Sequence, residues 1–200
     1  MIQMKTQKER QILITGFGGQ GIVMAGDILG KAAAIFDHKH ATMTQNYGPE
    51  ARGGACSSQV IIGPEEILFP CIEQPEILIC MSQEAYMKNI KSLRSDGTLI
   101  WDTDLVHTKK GENNFKLHNI PATRFAEQLG TKMMANIVML GFLCAVENLV
   151  HSDALKKAIL DSVPTSTKDK NIDAFNKGRE YGNSVIKELV SSEHLIEQEE

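Results

Sequence analysis

The chain has 200 residues, of which 42% are hydrophobic and 23% are charged, which is enough for one sizeable core and predicts one principal domain. The formal net charge is −4, and the lysines and arginines are scattered among acidic residues, which argues against nucleic acid as the main partner. The N-terminus is polar, and the longest apolar stretch, residues 133–150, is interrupted by polar side chains, so we expect a cytoplasmic protein without a membrane span.

Strand and helix patterns alternate along the chain from its first apolar run. In the first third they predict strands at residues 11–15, 40–44, 55–62 and 67–69 and a helix at residues 21–36. Further on they predict strands at residues 76–81, 98–102 and 115–119 and helices at residues 83–92, 121–129, 131–149, 152–162 and 171–191. This alternation favours an α/β fold, a Rossmann-like three-layer domain with a mostly parallel sheet.

The domain so predicted spans residues 11–191. Residues 1–10 form an N-terminal extension, and residues 192–200 form an acidic tail that we expect to be solvated.

A glycine run joins the first strand to the first helix. The spacing of Gly16, Gly18 and Gly21 satisfies the dinucleotide-binding fingerprint, and Gly19 and Gln20 lie between them. Glycine allows a backbone to approach a phosphate closely, and a helix N-terminus offers unpaired N–H groups to an anion. The alternative is that these glycines let the helix pack tightly on the strand.

The end of the second predicted strand weakens the dinucleotide interpretation. A nicotinamide site needs an acidic residue there to hold the ribose hydroxyls, and residues 42–46 contain neither an acid nor a base. Phosphate binding and helix packing therefore both stay open for the glycine run.

Two segments considered together identify a family. The run from Gly16 to Gly21 is followed by Asn-Tyr-Gly-Pro-Glu-Ala-Arg-Gly-Gly at residues 46–54. This pair resembles the gamma subunit, or gamma domain, of 2-oxoacid:ferredoxin oxidoreductases, and residues 136–141 and 171–178 resemble two further family segments. The motif variants are most similar to gamma subunits of the 2-oxoglutarate enzymes, although Asn46 replaces the usual serine, and branched-chain 2-oxoacids and pyruvate stay open.

The resemblance implies a division of labour between chains. Members of the family oxidatively decarboxylate a 2-oxoacid to acyl-CoA and CO2 with reduction of ferredoxin, using thiamine diphosphate, iron–sulfur clusters and coenzyme A. This chain is expected to bind none of these cofactors alone and to complete an assembly with alpha and beta subunits, with or without a ferredoxin-like delta subunit. The rival hypothesis is a stand-alone nucleotide-binding or regulatory Rossmann-like module.

Within that resemblance, the second loop offers candidate binding residues. Arg52 lies beside glycines and could hold a phosphate or carboxylate in a bidentate fork, with Tyr47 stacking beside it and Glu50 orienting it. Arginine and tyrosine are equally the expected anchors of a subunit interface. This loop therefore borders a coenzyme A channel or a partner subunit, and residue type does not separate the two. The first glycine loop, Gly16 to Gly21, is likewise expected to be a phosphate loop or an interface loop. We expect the two loops to be adjacent at the C-terminal edge of the sheet and to face partner subunits, with coenzyme A binding as the lesser alternative.

The remaining metal and redox candidates carry weaker signals. Cys56, Cys71, Cys80 and Cys144 form no C-x-x-C pair, which disfavours zinc or iron–sulfur ligation within this chain. Cys80 and Cys144 sit in apolar segments and are predicted to be buried.

Two short polar pairs are also considered. His38 and His40 are predicted to lie in a solvated turn. Asp102 and Asp104, at a strand end, are predicted to form a turn or helix cap in preference to a cation site.

Overall fold

A six-stranded sheet organises the protein, and the computed structural model describes residues 8–48, 53–108 and 114–196. The strands are β1 (Arg10–Phe17), β2 (His40–Tyr47), β3 (Ala55–Gly63), β4 (Ile77–Cys80), β5 (Thr98–Asp102) and β6 (Lys116–Ile120). The helices are α1 (Ile22–Lys31), α2 (Gln83–Asn89), α3 (Ala122–Gln128), α4 (Ala135–Glu147), α5 (Ser152–Ser162) and α6 (Lys168–Ile196).

The strand order confirms the predicted fold class. The sheet runs β2-β3-β1-β4-β5-β6, and the pairs β1/β4, β4/β5 and β5/β6 are parallel. Only β3 runs against its two neighbours, β1 and β2. The carboxyl ends of the other five strands therefore share one edge of the sheet, which is where open α/β sheets place their ligand sites.

Alternate residues of the central strands enter two separate cores. Ile12 and Ile14 of β1 belong to the larger core, with α1, α4 and α5, whereas Leu13 belongs to a smaller core on the opposite face. All four residues of β4 are buried because helices cover both faces at that position. The smaller core lies beneath α2 and includes Leu78, Leu99 and Trp101.

Helices α4 and α6 pack backbone against backbone. A Cβ placed on Gly178 would overlap the carbonyl group of Val138, and one placed on Gly141 would overlap the carbonyl group of Phe175. Glycine at both positions is thus required by the closeness of the two helices, and the two family segments that contain these glycines form one contact.

Two predicted strands differ from the structure. Residues 67–69 form no strand: Leu68 is 86% exposed and Phe69 is 70% exposed, because the neighbouring strand edge is already paired. Strand β2 extends three residues beyond the predicted end at residue 44, since Gln45–Tyr47 pair with β3. The predicted loop is correspondingly shorter.

The helix boundaries also shift. The first predicted helix ends as an α-helix at Lys31 and continues as a π-helical turn, Ala32–Phe36. Helix α6 begins at Lys168 and reaches Ile196, so that the first part of the predicted acidic tail is helical. Among the described helices, none combines the length and the apolar character that a membrane crossing requires.

Candidate functional site

The two glycine loops are adjacent at the carboxyl edge of the sheet. The backbone N–H of Gly18 donates to the carbonyl oxygen of Gly54 over 2.9 Å. A Cβ on Gly18 would lie 3.4 Å from the backbone nitrogen of Gly53, which is ordinary van der Waals contact, so the two loops touch without a requirement for glycine at this position. The sequence predicted two adjacent loops, and this hydrogen bond confirms their contact.

Gln20 fixes the first loop from within. Its Oε1 accepts a hydrogen bond from the backbone N–H of Phe17 over 2.7 Å, and its Nε2 donates to the carbonyl oxygen of Met81 over 2.7 Å. A Cβ on Gly16 would lie 2.5 Å from the same Oε1. The glutamine therefore ties the end of β1 to the end of β4, and it needs a glycine at position 16 to do so.

Gly21 serves helix packing. It adopts a left-handed conformation with φ +72°, and a Cβ there would overlap the side-chain amide of Asn136 on α4. Gly19 differs, because with φ +95° it needs glycine for its backbone alone and a Cβ would meet no described atom within 4 Å. Two of the four glycines, Gly16 and Gly21, thus have a packing role, which favours the packing alternative over a phosphate cradle.

A polar cleft lies beside the loops, on the sheet face that α2 only partly covers. It has a volume of 430 Å³. The amide and hydroxyl side chains of its floor and walls are Thr15, Asn46, Ser57, Gln59, Asn89 and Ser92. Lys88 contributes a cation, and Glu73 and Glu84 contribute carboxylates. This lining can hydrogen-bond amide groups of a ligand or of a partner's backbone.

Of the three candidate binding residues predicted in the second loop, Tyr47 is the one that the structure describes. Tyr47 ends β2 at the rim of the cleft, where it is 60% exposed and its hydroxyl lies 3.4 Å from Oε1 of Gln45. Glu50 and Arg52 lie outside the described residues. Their proposed pairing with each other and with an anion therefore stays a prediction.

The cleft residues on β2 and β3 were not predicted from the sequence. Asn46, Ser57 and Gln59 follow one another across the two strands on the same sheet face, with Asn46 opposite Ser57. The available signal was a polar residue at every second position of each strand, which marks an exposed face. Lys88 and Asn89 gave no signal, because polar residues are ordinary on a surface helix.

Asp102 caps α3, as its position at a strand end predicted. Its Oδ2 accepts hydrogen bonds from the backbone N–H and the hydroxyl of Thr123 over 2.8 and 2.6 Å, and its Oδ1 accepts from the N–H of Asp104 over 3.0 Å. Burial raises the pKa of Asp102, although these hydrogen bonds oppose the rise. Asp104 forms an ion pair with Arg124.

The described residues offer no metal site, because no group of three or more histidine, cysteine or acidic side chains among them could hold an ion. His38 lies in the turn before β2 with φ +53°. Of the cysteines, Cys80 and Cys144 are buried as predicted, Cys56 is also buried, and Cys71 is exposed. Burial raises the pKa of the Cys80 thiol to about 12, so this thiol is a structural group.

Comparison with known proteins places the chain in a family. Residues 11–181 match the family described as pyruvate ferredoxin/flavodoxin oxidoreductase. The 2-oxoglutarate synthase subunit KorC of Methanocaldococcus jannaschii is 48% identical over 94% of this chain and 100% of its own length. The pyruvate synthase subunit PorC of Methanothermobacter marburgensis is 33% identical over 82% of this chain and 92% of its own length.

A solved structure has the same fold. The gamma subunit of a keto/oxoacid ferredoxin oxidoreductase from Geobacter sulfurreducens is 38% identical, with a TM-score of 0.77 over 88% of this chain and 99% of its own. The chain belongs to the pyruvate ferredoxin/flavodoxin oxidoreductase family. The resemblance to gamma subunits of 2-oxoacid:ferredoxin oxidoreductases, drawn above from the two glycine loops, is confirmed.

Proposed function

We propose that this chain is the gamma subunit of a cytoplasmic 2-oxoglutarate:ferredoxin oxidoreductase. The complex would oxidatively decarboxylate 2-oxoglutarate to succinyl-CoA and CO2 and reduce ferredoxin. The observation that carries the proposal is the 48% identity to a KorC subunit over its whole length, against 33% to a PorC subunit. The alternative of a stand-alone nucleotide-binding module has less support, because a Cβ on Gly16 or Gly21 would overlap neighbouring protein atoms, so packing already accounts for these two glycines.

The chain's own role in that complex is assembly. Alpha and beta subunits would supply thiamine diphosphate and the catalytic groups, and iron–sulfur clusters would come from them or from a ferredoxin-like delta subunit. The described cysteines of this chain are scattered, three of them buried, and do not form a cluster site. The glycine loops would face a partner subunit, and the polar cleft beside them suits the amide-rich arm of coenzyme A.

Co-expression with candidate alpha, beta and delta chains tests the function. A tag on this chain should recover a complex that contains thiamine diphosphate and iron–sulfur clusters. That complex should reduce a ferredoxin or a viologen dye with coenzyme A and 2-oxoglutarate, faster than with pyruvate or a branched-chain 2-oxoacid. Preference for another 2-oxoacid would overturn the substrate, and recovery as a partner-free monomer with bound NAD would overturn the subunit assignment.

Arg52→Ala tests the role of the second loop in the same complex. A coenzyme A contact predicts a raised apparent KM for coenzyme A, by about tenfold for one lost charge-assisted hydrogen bond, with the complex intact. A partner contact predicts dissociation on size-exclusion chromatography. Arg124→Ala is the matched control, because it removes the same charge from an exposed position on α3, which follows the edge strand β6. Unchanged kinetics and assembly would remove Arg52 from the site.

A further inference from the structure

A second polar cleft lies where α4, α5 and α6 meet, away from the glycine loops. It has a volume of 440 Å³. Its lining comes from the last turn of α4 and the residue after it, the start of α5, and two residues of α6: Cys144, Ala145, Asn148, His151, Ser152, Asp153, Arg179 and Asn183. None of these residues belongs to the carboxyl edge described above.

Arg179 is the lining residue best suited to bind an anion, because its guanidinium carries a permanent positive charge. It is half-buried on α6, and in the described part of the chain no carboxylate forms an ion pair with it. Arg179 and Cys144 line the cleft together. Burial raises the pKa of the Cys144 thiol, and the charges of Arg179 and Lys156 oppose that rise. A partly desolvated guanidinium without a counter-ion favours binding of an anion.

The start of α5 presents hydrogen-bond donors to the same cleft. The first intrahelical hydrogen bond runs from the N–H of Leu155 to the carbonyl of His151, so the N–H groups of the preceding turn have no helical acceptor. The hydroxyl oxygen of Ser152 is buried there without a partner among the described residues. A buried polar atom left unpaired is costly unless a ligand satisfies it.

Both walls of the cleft are held in place. Lys39 donates from Nζ to the carbonyl oxygen of Leu149 over 2.7 Å and pairs with Asp37 over 2.9 Å. Asp37 in turn accepts from the backbone N–H of His151 at 3.4 Å, which fixes the start of α5. Arg179 stands on the part of α6 that glycine packing locks against α4. The backbone donors of α5 are thus pre-organised, which lowers the entropy lost on binding.

We propose that this cleft is a binding site for a small oxyanion of the phosphate or carboxylate class, held by Arg179 and the first turn of α5. Asn148 and Asn183 would supply amide donors at its sides. Asp153 is the one carboxylate among the described lining residues, and it weakens the site by repelling the anion.

Titration of the full chain with inorganic phosphate tests the site by amide NMR, with sodium chloride added to hold the ionic strength constant. We expect saturable shifts at residues 152–154 and at Arg179. Arg179→Gln should weaken binding at least about tenfold, because a charge-assisted hydrogen bond is lost. Asp153→Asn should strengthen it several-fold, and a misfolded variant could not produce that gain. A parallel titration with succinate distinguishes a carboxylate ligand from a phosphate ligand.

Lys157→Gln is the matched control for Arg179→Gln, because it removes a positive charge from an exposed position of α5 outside the cleft. Its affinity for phosphate should stay within about twofold of that of the unmodified chain, since a surface charge contributes little. Shifts that do not saturate with either anion, or an affinity that Arg179→Gln and Lys157→Gln lower equally, would overturn the proposal.

Discussion

Asn136 on α4 donates a hydrogen bond from its side-chain Nδ2 to the carbonyl oxygen of Gly21, over 3.1 Å and across 115 positions of the sequence. The Oδ1 of the same side chain accepts from the N–H of Ile137 over 2.9 Å. One buried amide therefore supports both the end of the glycine loop and the start of α4. The glycine loop and the segment at residues 136–141, each of which resembles a segment of the family, are therefore in direct contact in the fold.

Gly21→Ala should lower the free energy of unfolding by about 2–4 kcal/mol. The left-handed backbone costs about 1–2 kcal/mol for alanine, and displacement of the Asn136 amide adds the loss of a buried hydrogen bond. Gly19→Ala is the control, because it carries only the backbone cost. Urea denaturation measures both variants, and equal losses would contradict a packing role for Gly21.

Alanine at two helical glycines should have opposite effects on stability. Gly178→Ala forces α6 away from Val138 and should cost about 3 kcal/mol or more, because close-packed backbones cannot admit a methyl group. Gly30→Ala on α1 should gain about 0.5–1 kcal/mol, since its Cβ would lie 3.8 Å from Met43 and alanine favours a helix. Thermal or urea unfolding gives the two signs, and a destabilising Gly30→Ala would show that α1 is more tightly packed than described.

Stability should depend on Asp102 in acid. Burial holds the pKa of this carboxyl above its ordinary value of 3.8, so protonation favours the folded chain. The stabilisation is complete below pH 3.8 and is lost as the pH rises through the raised pKa. The unmodified chain should therefore lose stability relative to Asp102→Asn across that range, with a constant difference at higher pH.

Urea denaturation at a series of pH values measures this difference. Thr123→Val provides a second test, because it removes the hydroxyl that donates to Asp102 and should move the transition to higher pH. A stability difference that instead grows in favour of the unmodified chain as the pH rises would mean that the hydrogen bonds outweigh burial.

Thiol reactivity should separate one cysteine from the other three. Cys71 is exposed, whereas burial raises the pKa values of Cys56, Cys80 and Cys144. Iodoacetamide at pH 8 should modify Cys71 alone in the folded chain, because the thiolate is the reactive form. Mass spectrometry of peptides identifies the site, and denaturation should expose all four. Rapid modification of Cys80 in the folded chain would contradict its burial.

The sequence predicted most of the elements from periodicity and glycine or proline punctuation. Helix α5 has the predicted limits, Ser152 and Ser162, because polar residues border a clear apolar face. The prediction of a strand at residues 67–69 is wrong, since a run of three apolar residues indicates only that their burial would be favourable. Whether such residues pair or stay exposed depends on a free strand edge, and no local pattern contains that information.

The sequence by itself determined the fold class, the family and the existence of two glycine loops, because periodicity and motif spacing are local properties of the chain. Only the tertiary structure decided what the glycines do: Gly18 approaches Gly53, and Gly21 makes room for Asn136. It also brought Arg179 beside the start of α5. These contacts join residues far apart in the chain, and their distances follow from helix and sheet packing, which a single sequence does not encode locally.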